Sequence, residues 1–405
     1  MKIRLGVIFG GESVEHEVSI ISAIQAMNKM DAEKYDIIPI YITKDRQWYT
    51  GEMLKDIESY SDMNLIKKYA KNVVLYEKGG RFFLQNKNGL HGIVKEIDIA
   101  FPIVHGTNVE DGVLQGYLES VGIPFVGGDV YASAVGQDKL FMKEIFEHDG
   151  LPVCKYLWFY DVDYNNDNKK ILADIKKLGY PVIVKPARLG SSVGIKVAHN
   201  EEEVLEVIDD AIRYDNKIIV EKLVENLMEV NISVLGNYEN QNVSAIEQVM
   251  PTKDFLTYED KYIGSSKVKG KLGAKFKSSK GMVSASRIVP AKLENKLKEE
   301  IEDIAVRAFK ALGSSGVVRI DFLVDKKTNK VYINEVNNIP GSLSFYLWEP
   351  IGKEYTELLD DLVNIGIKDY KKRTAKTHSF ETNILKGFTE LGGLKGMKGS
   401  KGKLR

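Results

Sequence analysis

The chain has 405 residues, enough for two or three domains with sizeable cores, and its 57 Lys plus Arg balance its 57 Asp plus Glu. That neutrality supplies no global field for nucleic acid or a membrane surface, so neither is expected as a partner. One cysteine, Cys154, excludes an internal disulfide framework, and no apolar run nears the ~18 residues of a membrane span, so a cytoplasmic protein is expected.

Residues 3–9 form a short apolar run ended by Gly10-Gly11, and Val18, Ile21, Ile24 and Met27 follow at helical spacing. The turn between them, Gly10-Gly-Glu-Ser-Val-Glu15-His16-Glu17-Val-Ser19, places three acids at a helix start. The helix dipole alone favours acids there; the functional alternative is a carboxylate held ready for an ammonium group. The glycine spacing is not that of a dinucleotide fingerprint, which disfavours NAD. Strand-like runs recur at 36–42, 98–104 and 124–126, with a helix-like segment at 111–120. This alternation predicts a mainly parallel, layered sheet. His105-Gly106 stands at the C-terminal end of one such strand, where ligands of open parallel sheets collect.

A second unit is expected from Gly128, with a helix over 130–147 and strands at 182–185 and 217–221 bracketing a helix at 201–212. In residues 181–194, Pro-Val-Ile-Val-Lys-Pro-Ala-Arg-Leu-Gly-Ser-Ser-Val-Gly, a buried strand delivers Lys185 to its end and Pro186 stops it. The loop that follows can offer backbone N–H groups to phosphate while the lysine supplies a point charge; a surface hairpin with an exposed lysine is the alternative. The strand emerging into Glu221, Lys222 and Val224 could meet a purine edge through its backbone, with Glu229 accepting from ribose hydroxyls. The same residues also suit a solvated strand end.

A third unit begins near residue 229, with a strand at 230–235, a long helix at 294–311 and a last helix near 355–365. Between the helices, residues 317–337 predict a β-hairpin. Side chains two apart share a strand face, so Arg319 joins Asp321 and Glu335 joins Asn337. If Asp321 pairs with Glu335, Arg319 falls opposite Asn337, and all four crowd one face. Such oxygen ligands suit Mg2+ beside nucleotide phosphates; an exposed salt-bridged face is the alternative. Residues 261–281 carry seven lysines and no acid, and 392–405 are Gly/Lys-rich, so neither shows a packing pattern. The second is expected to be a solvated tail, and the first is longer than an ordinary connection.

Taken together these motifs resemble the ATP-grasp superfamily, and within it the D-alanine–D-alanine ligases. The resemblance runs from Gly10–Ser19 to about Pro350. It passes through His105-Gly, Asp138-Lys139, Val184-Lys-Pro186, Gly190-Ser-Ser-Val-Gly194, Glu221-Lys222, Tyr258-Glu-Asp-Lys-Tyr262, Arg319-Ile-Asp321, Glu335-Val-Asn337 and Pro340-Gly341. It implies an α/β protein with an N-terminal doubly wound parallel-sheet domain (1–127), a central ATP-grasp subdomain (128–228) and a C-terminal ATP-grasp domain (229–375), both α+β, then an extension (376–405). ATP would contact Lys139 and Lys185 through its phosphates, Glu221, Lys222 and Val224 through adenine, and Glu229 through ribose. Two Mg2+ ions, with Mn2+ able to substitute, would rest on Asp321, Glu335 and Asn337. Glu15 would hold the ammonium of the first D-alanine, with Ser191 and Tyr262 completing a triad and His105 nearby. Arg319 and the Gly341 N–H would face the developing oxyanion. The resemblance also implies that residues 261–281 are a lid.

The implied activity joins two D-alanines through an acyl phosphate, for peptidoglycan precursor synthesis, in a homodimer. Two departures stand out. The 261–281 segment is long and lysine-rich for the family, and where a serine–leucine pair commonly grips the second substrate, this chain has Tyr346-Leu347. A ligase joining D-alanine to another amino acid is therefore one alternative, and a nucleotide-binding protein without ligase chemistry is another.

Overall fold

The computed structural model describes residues 2–89, 92–250 and 286–379. Tyr262, the 261–281 segment and the 392–405 tail thus lie outside the described residues. Contact density divides the chain into residues 1–367 and 368–405. Of the latter, the end of helix Tyr355–Thr374 is described, with the Ala375 N–H donating to the Lys371 carbonyl.

Among the described residues of 1–367, three sheets each have their own stretch of sequence. The first has seven strands, in the order Ile93–Ile97, Arg81–Asn86, Lys71–Lys78, Trp48–Thr50, Tyr35–Ile42, Ile3–Gly10 and Ile99–Pro102. It is parallel where Ile3–Gly10 meets Tyr35–Ile42 and Ile99–Pro102. These strands are apolar runs buried on both faces, as parallel strands usually are. Beyond Tyr35–Ile42 the sheet continues antiparallel, an extension the alternation of strands and helices did not predict. The run at 124–126 contributes only a single bridge, Phe125 to Ala100. Gly10, at the strand's end, has φ +91°, and a Cβ there would stand 2.2 Å from the Ile42 carbonyl oxygen. Only glycine permits that turn.

The second sheet is antiparallel and four-stranded, ordered Lys196–Ala198, Val182–Pro186, Lys217–Lys222, Tyr156–Tyr160. The third, also antiparallel, runs Ser286–Ile288, Glu247–Met250, Leu227–Gly236, Gly316–Asp325, Lys330–Asn337. Helix Asn295–Ala311 covers one face of it through Leu297, Ile301, Ile304, Ala305, Ala308 and Phe309, a 3.6-period stripe.

Two helix predictions are corrected. The helix expected over 130–147 is two helices, Val130–Gln137 and Lys139–His148, broken at Asp138. Asp138 is extended (φ −86°, ψ 106°) and its carboxylate accepts from the Leu140 and Phe141 N–H groups. Aspartate favours that N-cap role over helix interior. The last helix, Tyr355–Thr374, extends nine residues beyond the expected 365. Its stripe Tyr355, Leu358, Leu359, Leu362 and Val363 joins the core of the first sheet, as do Leu343, Leu347 and Trp348. The chain's late residues thus complete the core begun by its first strand.

Candidate active site

The uncovered face of the third sheet carries a row of polar side chains at one register level. Glu247 pairs with Asn231, Asn231 with Asp321 and Asp321 with Glu335, across four strands. Neighbouring antiparallel partners point to the same face, so the row lines a single cleft. The hairpin register is the predicted one, with Arg319 opposite Asn337. A β-bulge at Asp321/Phe322 leaves Asn334 without a partner in the ladder. It brings Asn334 and Glu335 into the cleft together, where strict alternation would have sent them to opposite faces.

Arg319 grips Asp321 bidentately, Nε to Oδ1 at 2.6 Å and Nη2 to Oδ2 at 2.7 Å, while Asn337 Nδ2 donates to Oδ2 at 3.2 Å. Burial works against the guanidinium's charge, but the Asp321 carboxylate outweighs it and holds the proton firmly. Asp321 and Glu335 are hard oxygen donors and Asn337 adds an amide oxygen. Among the described residues no group of three acid, histidine or cysteine side chains is placed to hold a metal ion by itself. Two carboxylates with an amide fit Mg2+, which keeps waters and takes phosphate oxygens as further ligands.

Lysines form the facing wall. Lys139 Nζ lies 3.6 Å from Glu335 Oε2 and donates to the Leu189 carbonyl at 2.8 Å. Lys185, brought in at the end of Val182–Pro186, donates to Asn334 Oδ1 at 2.9 Å and stands 3.1 Å from Glu221 Oε1. Lys143, one helical turn after Lys139 and wholly buried, lies 3.3 Å from Glu221 Oε2. Like charges at i and i+4 on one helix repel, so these lysines need their acids. Burial alone would raise the Glu221 carboxyl; the two lysines reverse that and hold it below the ordinary range. The Glu221 side chain therefore serves the lysines. Lys222 Nζ donates to the carbonyls of Gly179 and Tyr180 at 3.2 and 2.8 Å, and Lys222, Val224 and Glu229 line the same cleft.

The third wall comes from the first sheet. The Ser191 hydroxyl donates to Glu15, which is buried at the start of helix His16–Met27. Ser191 and Ser192 both take left-handed backbone (φ 57° and 60°), strained for non-glycine residues and found mainly where the surroundings enforce it. Gly106 (φ +81°) passes so close that a Cβ would stand 2.8 Å from Glu15 Oε2. His105 is buried, with Nδ1 at 2.8 Å from the Ile339 carbonyl and Nε2 at 3.0 Å from Ser22 Oγ. Burial lowers its pKa, and the neutral ring that donates from Nδ1 and accepts at Nε2 satisfies both contacts. Glu110 accepts from the Gly106 and Ile339 N–H groups, each at 2.8 Å, and burial pushes its carboxyl up to about 8. His105 and Glu110 thus tie the turn after Ile99–Pro102 to the segment leading into Gly341, and all three line one cavity with Glu15 and Lys139.

Tyr346 and Leu347, expected at the second substrate, end the helical segment Gly341–Leu347. The Tyr346 hydroxyl donates to Glu247 Oε1 at 3.0 Å and Leu347 is fully buried, its carbonyl accepting from the Ala245 N–H. Neither borders the cleft. The phenol's proton is given to that carboxylate. Residues the sequence analysis passed over are Asn231, Glu247, Arg287, Asn334, Glu110 and Lys143. For Lys143 the signal was available: a second lysine one turn after Lys139 on an apolar helix face.

Residues 4–128 match the family model described as the D-ala D-ala ligase N-terminus, and residues 145–364 match that of the D-ala D-ala ligase C-terminus. The curated D-alanine–D-alanine ligase of Thermosipho melanesiensis is 38% identical over 386 residues, covering 95% of this chain and 98% of that protein. Among solved structures, the D-alanine-D-alanine ligase from Coxiella burnetii superposes with a TM-score of 0.75 at 28% identity, over 92% of this chain and 98% of that one. The VanG D-Ala:D-Ser ligase from Enterococcus faecalis gives 0.73 at 31% identity, over 90% and 100%.

Proposed function

The chain belongs to the D-alanine–D-alanine ligase family, with its ATP-grasp fold, and from that premise we propose that the cleft joins D-alanine to D-alanine at the expense of ATP. The observation that carries this reading is the acid face Asp321–Glu335, with Arg319 and Asn337, set against Lys139 and Lys185. It is a surface suited to triphosphate and to a reacting carboxylate at once.

In this reading the purine lies along the backbone of Glu221, Lys222 and Val224, Glu229 accepts from the ribose, and Lys139 and Lys185 take the phosphates. Asp321, Glu335 and Asn337 would hold two Mg2+ ions, whose charge would offset that of the transferred phosphoryl group; Mn2+ is expected to substitute. Glu15, steadied by Ser191 with Tyr262 as the third member, binds the ammonium of the first D-alanine beside His105. The carboxylate of that D-alanine attacks the terminal phosphorus of ATP, giving its acyl phosphate and ADP. The second amine then attacks the acyl carbon, loses a proton and expels phosphate. The tetrahedral oxyanion between these steps faces Arg319 and the Gly341 N–H; losing one such donor typically costs ~10²–10³ in rate. Residues 1–127 would carry the first amino acid's wall, 128–228 and 229–375 the nucleotide between them, in a cytoplasmic homodimer supplying peptidoglycan precursors. No described helix is long and apolar enough to cross a membrane.

A second reading, an acceptor other than D-alanine, is favoured by Tyr346, whose hydroxyl serves Glu247 rather than the cleft. Purified protein incubated with ATP, Mg2+ and a panel of D- and L-amino acids tests both. D-Ala-D-Ala with stoichiometric phosphate is the expected product, and a mixed dipeptide selects the second reading. Nucleotide binding without phosphate release from any amino acid would leave a binding protein and refute both.

A further inference from the structure

Helix His16–Met27 does more than follow Glu15. Its N-cap Glu15 and then Val18, Ser22 and Gln25 recur at the spacing of one helix face. The first two line the cavity that holds Arg319 and Gly341. The next two reach the segment that leaves Gly341. The Ser342 N–H donates to Ser22 Oγ at 2.9 Å, and the Ser342 hydroxyl donates to Gln25 Oε1 at 2.6 Å. Ser22 is buried, and its Oγ also lies 3.0 Å from His105 Nε2. With the His105 ring neutral, one proton order satisfies every contact. The Ser342 N–H points to Oγ, the Ser22 O–H to Nε2, and Nδ1–H to the Ile339 carbonyl. The Ile339 N–H is held in turn by Glu110. The chain is thus tied at Ile339 and at Ser342, on both sides of Pro340-Gly341.

The tie at Ser342 acts on strained backbone. Ser342, Leu343 and Ser344 have φ of 52°, 53° and 50°, three successive non-glycine residues in the left-handed region. Such a run is disfavoured for L-residues and persists only where the surroundings enforce it. Leu343 is anchored in the core and its N–H donates to the Pro340 carbonyl at 2.8 Å, while Ser22 and Gln25 hold Ser342 from the helix. Serine is an indifferent residue for a helix interior, because its hydroxyl competes for nearby backbone groups. Here the Ser22 hydroxyl is spent on another segment altogether. Relaxation of the turn toward right-handed backbone would begin at Ser342, and the peptide carrying the Gly341 N–H is the next one back.

We propose that Ser22 is a positioning residue for amide-bond formation: it locks the left-handed turn after Gly341 and so aims the Gly341 N–H at the acyl oxygen. Ser22 borders neither cavity and touches no substrate; it acts through Ser342 and His105. One rigid helix then sets the separation between the group that holds the ammonium, Glu15, and the tie that holds the oxyanion donor. At 1.5 Å per residue the two lie roughly 10 Å apart along its axis. The effect belongs to the second step, where the acyl carbon becomes tetrahedral and its oxygen gains charge; attack of the carboxylate on phosphorus creates no such oxyanion. The inference rests on the ligase reading.

The test compares wild type, Ser22→Ala, Ser22→Thr and Gln25→Met by rapid quench, timing ADP and dipeptide separately within one turnover. A reacting group misplaced by about 1 Å can cost ~10²-fold in rate. Ser22→Ala is therefore expected to slow dipeptide formation by about 10- to 100-fold. Its ADP formation, and its KM values for ATP and the first D-alanine, should stay within a few-fold of wild type. Ser22→Thr keeps the hydroxyl and should recover most of the loss. Gln25→Met removes the outer tie at a half-buried site and should show the same split, several-fold in size. Hydrogen exchange of the peptide containing Ser342 should quicken in Ser22→Ala, a readout that needs no turnover. ADP-induced thermal stabilisation equal to wild type certifies each fold, and if Ser22→Ala fails it, Gln25→Met decides by the same split. A folded variant that keeps the wild-type dipeptide rate, or that slows ADP and dipeptide equally, overturns the proposal. A wild type that forms no dipeptide would instead sink the ligase reading, a separate signature.

Discussion

Replacing Glu221 by glutamine removes one negative charge from between two buried ammonium groups and changes almost nothing in volume. Lys185 and Lys143 stand 3.1 and 3.3 Å from its two oxygens, and Lys143 and Glu221 are 0% and 1% exposed at their side chains. At an effective dielectric near 20, each contact represents about 5 kcal/mol of attraction. Much of this offsets desolvation, so the expected loss is ~3–5 kcal/mol, the range for breaking a buried pair by removing one partner. Urea unfolding at pH 7 measures it. The sign with pH is fixed by the depressed carboxyl. Its contribution is fully present above the unfolded carboxyl pKa and disappears as pH falls through the lower folded value. The gap between wild type and Glu221→Gln should therefore be widest near neutrality and narrow in acid, below about pH 4. Lys143→Met added to Glu221→Gln should recover part of the loss, because it removes the cation left unpaired. A gap below about 1 kcal/mol, or one that does not change with acidification, would refute the argument that the triad is a charge-balanced unit.

Three further outcomes are expected. Glu335→Gln should raise the Mg2+ concentration needed for half-maximal rate by upwards of ~100-fold, as a Mg2+ titration of the rate would show. Glu110→Gln should cost ~1–3 kcal/mol by turning an amide NH2 toward the Gly106 or Ile339 N–H. Because burial raises the Glu110 carboxyl to about 8, its drag on wild-type stability should grow as pH climbs from the unfolded carboxyl range toward 8 and be missing in the glutamine variant, as denaturant titrations across that window would show. Ser191→Ala should raise the KM of the first D-alanine about tenfold with ATP binding intact, since it removes the hydrogen bond to Glu15.

What the sequence made legible was whatever depended on short-range periodicity. The pairing of Asp321 with Glu335 follows from two alternating runs joined by one polar turn, and the structure has that register. The bulge that adds Asn334 was not legible, because it answers to Lys185, 149 positions away. Strand Glu247–Met250 is four residues long, too short for any alternation to register, so Glu247 and the acid row's extension to it went unseen. Helix 130–147 was read as one because apolar spacing continues through Asp138; the competing N-cap decided otherwise. Glu110 could be seen only as an acid near a turn, since both of its partners are backbone groups and one belongs to Ile339.

Three of the described cations at the cleft each have an acid or amide side chain of this chain beside them. Lys139 has Glu335, Lys185 has Glu221 and Asn334, and Arg319 has Asp321. A triphosphate entering here does not meet a bare positive patch; it exchanges partners with acids already in place. Such an exchange keeps the site from collapsing on itself or gathering anions at random, because the protein supplies both signs. It also divides the acids by what they do afterwards. Asp321 and Glu335, released from their cations, face the phosphates and become repulsive unless divalent metal arrives with the nucleotide. Glu221, walled in behind Lys185, keeps Lys143 and stays neutralised. Nucleotide and metal should therefore bind with strong mutual dependence at Asp321 and Glu335, and Lys143 is the residue that spares Glu221 from needing a metal of its own.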